Sequence, residues 1–143
     1  MNTTHSSGTL IVGFDEGIEF KNMGGTMHWN ITPLNYHGSL PLPATNHVLR
    51  LRQGERFAAH HHEFSWDQIN IIQGTCHFYL NGEEVVVGPG HSVMVPPGVT
   101  HEMYNPYAED VVSVDIQIPP DPHIYARATP EATAPAGALT GTP

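Results

Sequence analysis

GERFAAHHHEFSWDQINIIQG, residues 54–74, and GHSVMVPPGVTHEMYN, residues 90–105, decide how this chain folds. His60 and His62 lie two apart, so on a β-strand both side chains leave the same face, about 7 Å apart along the backbone. Two imidazoles so placed can converge on one ion. In the second stretch Pro96, Pro97 and Gly98 force a turn and set the direction in which the next strand delivers His101. On the same alternation Met103 and Asn105 share the face of His101, while Ile69 and Ile71 share that of Asp67. The space beside the histidines is therefore expected to be largely apolar.

Residues 75–89 separate the two stretches, which leaves room for two strands and a turn. The turn is Asn81-Gly82, between CHFYL and EEVVV. Both residues tolerate positive φ, as a two-residue type I′ turn requires, so a tight hairpin is predicted. Working outward, short runs of Val, Ile, Phe, Tyr and Thr alternate with Gly, Pro and Asn from Thr9 to Ile118, the punctuation of an all-β domain. Residues 1–8 read as a loose polar arm. Residues 119–143, rich in Pro, Ala, Thr and Gly, read as a tail strapped down at Ile124 and Tyr125.

A chain of 143 residues fits one domain, and 39% hydrophobic against 13% charged residues is enough apolar material for one core. The formal charge of -9 repels phosphates and anionic headgroups, so neither nucleic acid nor a membrane surface is an expected partner. Cys76 is the single cysteine and cannot form an intramolecular disulfide; it reads as a buried hydrophobe. With no basic, apolar leader at the start, a cytoplasmic location is expected. Eleven histidines offer neutral imidazoles, good ligands for zinc, iron, nickel or copper.

Gly54, His60, His62, Asp67 and Gly74, followed by Gly90, Pro96, Gly98, His101 and Asn105, carry spacings that resemble the two signature motifs of the cupin superfamily. The chain departs from them at one position, with Asp67 where that superfamily usually has Glu. The resemblance implies a cupin jelly-roll β-barrel, a double-sheet sandwich, holding one divalent transition metal, read as zinc first and iron second. His60, His62 and His101 would be ligands. Asp67 occupies the carboxylate position but is one methylene shorter. His47 competes for the fourth place: a two-residue turn at Gly54-Glu55 would set His47 opposite His62 and Leu49 opposite His60. Phe57, Trp66, Phe78, Leu80, Met94 and Met103 are candidates for a cavity lining or for plain core. Arg50, Arg52 and Arg56 read as surface.

An ion held by three or four protein groups keeps open positions, which favours catalysis over a structural role. An apolar pocket with a cation at its base suits a small hydrophobic carbonyl substrate. The chain also looks like the small single-domain cupins that cyclise aromatic polyketides, as in resistomycin and tetracenomycin pathways. That likeness implies enolate stabilisation and aldol closure, with Asp67, if not a ligand, or a metal-bound hydroxide as base. An iron dioxygenase cleaving a β-diketone or catechol-like compound is the alternative, and a non-catalytic metal or ligand module the third. The family likeness further implies a homodimer, with Thr26 to Asn30 as a strand it could exchange.

Overall fold

The computed structural model describes residues 3–4, 7, 10–32 and 44–121. Strands dominate: β1 (Thr3–Thr4), β2 (Leu10–Ile11), β3 (Ile18–Phe20), β4 (Thr26–Ile31), β5 (Thr45–Leu51), β6 (Arg56–His60), β7 (Trp66–Gln73), β8 (Cys76–Leu80), β9 (Glu83–Val87), β10 (Ser92–Val95), β11 (His101–Tyr104) and β12 (Val111–Ile118). β1 pairs with β2, and the rest form a six-stranded sheet, β10-β7-β12-β5-β4-β3, and a four-stranded sheet, β6-β11-β8-β9. All pairings are antiparallel. One apolar cluster joins the sheets, with Trp29, Leu49 and Ile71 from one and Phe57, Phe78 and Met103 from the other. This is a jelly roll, as the motifs imply. Among the described residues no helix is long and apolar enough to cross a membrane.

Local chemistry explains the turns. Asn81 and Gly82 have φ of 48° and 86°, and Leu80 faces Glu83 across the hairpin, the expected two-residue turn. Gly74 turns β7 into β8 at φ 77°, with its Cα packed against the Asp110 carbonyl so that a side chain has no room. The two signature stretches are stitched together by backbone bonds. Gly98 N donates to the His62 carbonyl at 2.7 Å, Gly54 N to the Asn105 carbonyl at 2.6 Å, and Asn105 N returns one to Glu55 at 3.1 Å. The Asn105 amide also donates to the Leu51 and Glu109 carbonyls, each at 2.9 Å. Asn105 thus ties loops together and is not a ligand.

One expected register is corrected. β5 and β6 are not a hairpin: β5 lies between β4 and β12 in the larger sheet, and β6 pairs with β11 in the smaller. The turn exists, with Glu55 N bonded to the Arg52 carbonyl at 3.0 Å and Gly54 at φ 82°. It hands the chain from sheet to sheet, because both edges of β5 are already occupied. His47 therefore faces Trp29 and Asp115, not His62.

β4 is held within its own sheet by β3 and β5, with Met27 and Trp29 buried. Trp66 and Met94, at 46% and 50% exposure, are on the outward phase of β7 and β10, away from the pocket that holds the inward-facing histidines. Arg50, Arg52 and Arg56 are exposed, as expected; Arg50 pairs with Asp110, and Arg56 pairs with Glu102 over the ring of Tyr104. Ile124 and Tyr125 lie outside the described residues.

Candidate metal centre

His60 ends β6, and His62 follows on the same face after the exchange of one residue; His101 opens β11 directly opposite His60. Strand alternation on β7 turns Asp67 inward beside Ile69 and Ile71 while Trp66 and Ile72 face out. One ligand atom from each of His60, His62, Asp67 and His101 lies within 4.8 Å of the others, and all four residues are buried. Ring centroids are 4.2 Å apart for His60 and His101, 5.0 Å for His60 and His62, and 5.5 Å for His62 and His101.

Each imidazole is oriented from behind. His60 Nδ1 lies 2.8 Å from the Ala58 carbonyl and His101 Nδ1 lies 3.0 Å from the Val99 carbonyl. A carbonyl only accepts, so both Nδ1 atoms carry hydrogen and their Nε2 atoms turn toward the cluster. His62 Nδ1 instead meets the Asp121 carboxylate at 2.7 Å, a carboxylate–histidine pair of the kind that raises ligand basicity. Asp67 Oδ2 receives His62 Nε2 at 2.8 Å and His101 Nε2 at 3.1 Å, while Oδ1 accepts from Gln117 Nε2 at 3.1 Å. Gln117 is fixed in turn by the Asp121 backbone N, which donates to its Oε1 at 2.8 Å.

Protonation follows from these partners. Burial, reinforced by the His101 and His62 rings, pushes His60 down to about 3, so its imidazole is neutral. Burial works against charge on His62 too, but the hydrogen bonds it donates to Asp121 and Asp67 prevail and raise it to about 9. Burial opposes ionisation of Asp67, yet bonds from His101 and His62 hold it well below the ordinary carboxylate range. Three imidazoles and an ionised carboxylate, converging in a buried site and supported from outside, are a donor set that fits zinc or iron. The fit is chemical as well as spatial.

Asp67 thus joins the three predicted histidines. His47 lines the same pocket outside that cluster, its Nε2 on Thr45 Oγ1 at 2.8 Å and its ring tilted against Trp29. Around the donors stand Met27, Trp29, Phe57, Ile69 and Met103, the apolar surroundings expected. Cys76 is buried and its thiol is pushed up to about 12 by burial, so it is an inert hydrophobe.

Sequence reasoning missed Asp121, Gln117 and Asp115. Asp121 sits in a Pro-rich run that reads as tail. Gln117 and Asp115 lie on β12, where Ser113, Asp115 and Gln117 are buried and Ile118 is exposed. That strand is inverted, polar side in, and the inversion is the signal that could have found them.

A family model described as the cupin domain matches residues 47–117. Among solved structures, a predicted oxalate decarboxylase from Thermotoga maritima is 21% identical, with a TM-score of 0.63 over 77% of this chain and 99% of that one. A Klebsiella pneumoniae protein with a double-stranded β-helix domain is 19% identical, with a TM-score of 0.66 over 83% and 92% of the two chains. A variant of Streptomyces PAC13 solved with uridine is 21% identical, with a TM-score of 0.60 over 76% and 81%. At such identities the likeness concerns the fold. No curated protein matches the sequence. Motifs, family match and architecture together make this chain a member of the cupin superfamily, with its cupin domain at residues 47–117.

Proposed function

We propose that the protein is a metal-dependent enzyme acting on a small hydrophobic carbonyl compound, with aldol-type ring closure, as in polyketide cyclases, as its reaction. One observation carries this reading: the His60, His62, Asp67 and His101 donors meet on the wall of a pocket otherwise lined mainly by apolar side chains. When bound there, a divalent ion, zinc first and iron second, supplies Lewis acidity toward a carbonyl oxygen. His60, His62 and His101 would hold it through Nε2. Both oxygens of Asp67 are engaged and its pKa is low, which favours a ligand role for it over that of a base. Trp29, Phe57 and Met103 would exclude water and pack the hydrocarbon part of the substrate. The cavity is narrow, about 30 Å³, which suits the reactive end of a compound entering from outside.

The test is turnover of an aromatic 1,3-dicarbonyl compound with a pendant ketone by the zinc-loaded protein under strict anaerobiosis. Ring closure without oxygen is expected. Conversion only with iron and oxygen uptake would replace this reading with the dioxygenase, and tight metal with no conversion under either gas would leave a binding module. A homodimer in a cytoplasmic setting belongs to the same proposal, with light scattering of the purified chain as its check.

A further inference from the structure

β12 turns Ser113, Asp115 and Gln117 into the barrel in succession. Gln117 is fully used, between Asp67 and the Asp121 backbone. Ser113 Oγ and Asp115 Oδ1 are not: among the described residues neither buried atom has a partner in good hydrogen-bond geometry, the Ser113 hydroxyl standing close enough only to ease the Asp115 carboxyl in part. An unsatisfied buried polar group costs roughly 1–3 kcal/mol.

Asp115 also stands in a specific place. It lines the pocket that holds the metal donors, opposite His47 on β5 and Ile69 on β7. Gln117, the neighbouring inward residue, touches Asp67. Successive inward positions on a strand are about 7 Å apart, so Asp115 stands about one small molecule away from the donor cluster. Burial raises its carboxyl to about 8, outweighing the nearby Ser113 hydroxyl, and the negative charge of Asp67 adds to the rise. A carboxyl that can be acid or base near neutral pH suits proton transfer.

We propose that Asp115 is the acid–base residue of this pocket, its Oδ1 meeting the acidic C–H and then the new hydroxyl oxygen of a carbonyl compound held at the His60, His62, Asp67 and His101 cluster. This rests on reading the pocket as a carbonyl-activating site. Ionised Asp115 takes the proton from the carbon between two carbonyls; the C–H electron pair becomes the enolate. That carbon then attacks the carbonyl of a pendant ketone elsewhere in the same molecule, forming the ring's carbon–carbon bond as the C=O π pair moves onto oxygen, and Asp115 returns the proton to the resulting alkoxide. One proton leaves and one arrives, so no oxidant or reductant is needed.

The experiment uses the full chain, wild type, Asp115→Asn and Asp115→Glu, loaded with zinc. Ethyl 2-methylacetoacetate in deuterated water is the probe, and deuterium uptake at its central carbon is followed by NMR. We expect uptake in the wild type, a loss of at least about 100-fold in Asp115→Asn and partial recovery in Asp115→Glu, with one zinc per chain in all three. Infrared spectra provide a readout independent of turnover: the wild type should show a carboxylic-acid carbonyl band that Asp115→Asn lacks. Equal uptake in wild type and Asp115→Asn, or the absence of that band, overturns the role of Asp115 alone. No uptake in the zinc-loaded wild type overturns the carbonyl reading of the site, and this assignment with it. Should Asp115→Asn fail to bind zinc at wild-type stoichiometry, Asp115 is structural and the proposal is wrong.

Discussion

Two polar clusters share the inside of this barrel, and they are satisfied to different degrees. In the first, His60, His62 and His101 each have Nδ1 tied from outside, and Asp67 has both oxygens engaged. In the second, no described residue meets Asp115 Oδ1 or Ser113 Oγ in good hydrogen-bond geometry, and His47, opposite Asp115, bonds Thr45. The difference teaches what each is built for. Rings locked from behind leave their free nitrogens aimed at one point, which is preorganisation for a cation. Buried groups with no partner leave room for one to arrive.

Breaking the first cluster should have the largest effect. Replacing His60 or His101 by Ala removes a donor that no neighbour can replace, and zinc per chain, measured by elemental analysis after dialysis, should fall from one to near none. His47→Ala should keep the ion, since that ring stands outside the donor set. Loss of zinc in His47→Ala, with retention in Asp67→Ala, would reverse the assignment of the fourth ligand.

A smaller effect tests the support behind the donors. Asp121 receives His62 Nδ1 at 2.7 Å, so Asp121→Ala should weaken zinc binding by about 10–100-fold in a competition titration. Asp121→Asn keeps an acceptor oxygen and should lose less. An unchanged affinity in Asp121→Ala would mean that His62 is oriented by its backbone alone.

These residues also show what a sequence can and cannot state about such a site. Strand alternation and turn chemistry are local, and they located the hairpin at Asn81-Gly82, the shared face of His60 and His62, and the inward line of His101, Met103 and Asn105. Sheet membership is not local. Gly54 at positive φ serves a hairpin and a crossover between sheets equally well, so the Arg52–Glu55 turn gave no sign that β5 and β6 part company. Asp121 reaches His62 across 59 positions, and its flanking prolines look like tail. β12 is more instructive, since Ser113, Asp115 and Gln117, polar residues alternating with Val114 and Ile116, are buried and line the polar interior.

The smallest effect separates the two clusters by pH, in protein stripped of metal with a chelator. Asp115 rises from 3.8 unfolded to about 8 folded, so between those values the unfolded chain releases its proton and the folded one keeps it. Stability from this group therefore declines as pH rises from about 4 to about 8, by at most about 1.4 kcal/mol per pH unit. His47 has the opposite sign. Burial lowers it from 6.5 to about 4, so its neutral folded form costs nothing above pH 6.5, and stability is lost as pH falls toward 4. The groups facing Asp115 are His47 across β5 and Asp67 further along β7, and the other titrating residues are common to every variant. Asp115→Asn should thus gain on the wild type steadily from pH 5 to pH 8, and His47→Gln should gain only below about 6.5, both read as melting temperatures across a pH series. If the gap between Asp115→Asn and wild type stays flat over that range, the Asp115 carboxyl is ionised in the folded protein and has a partner. The contrast between a satisfied and an open cluster would then be lost, because both halves of the pocket would hold their charges in the same way.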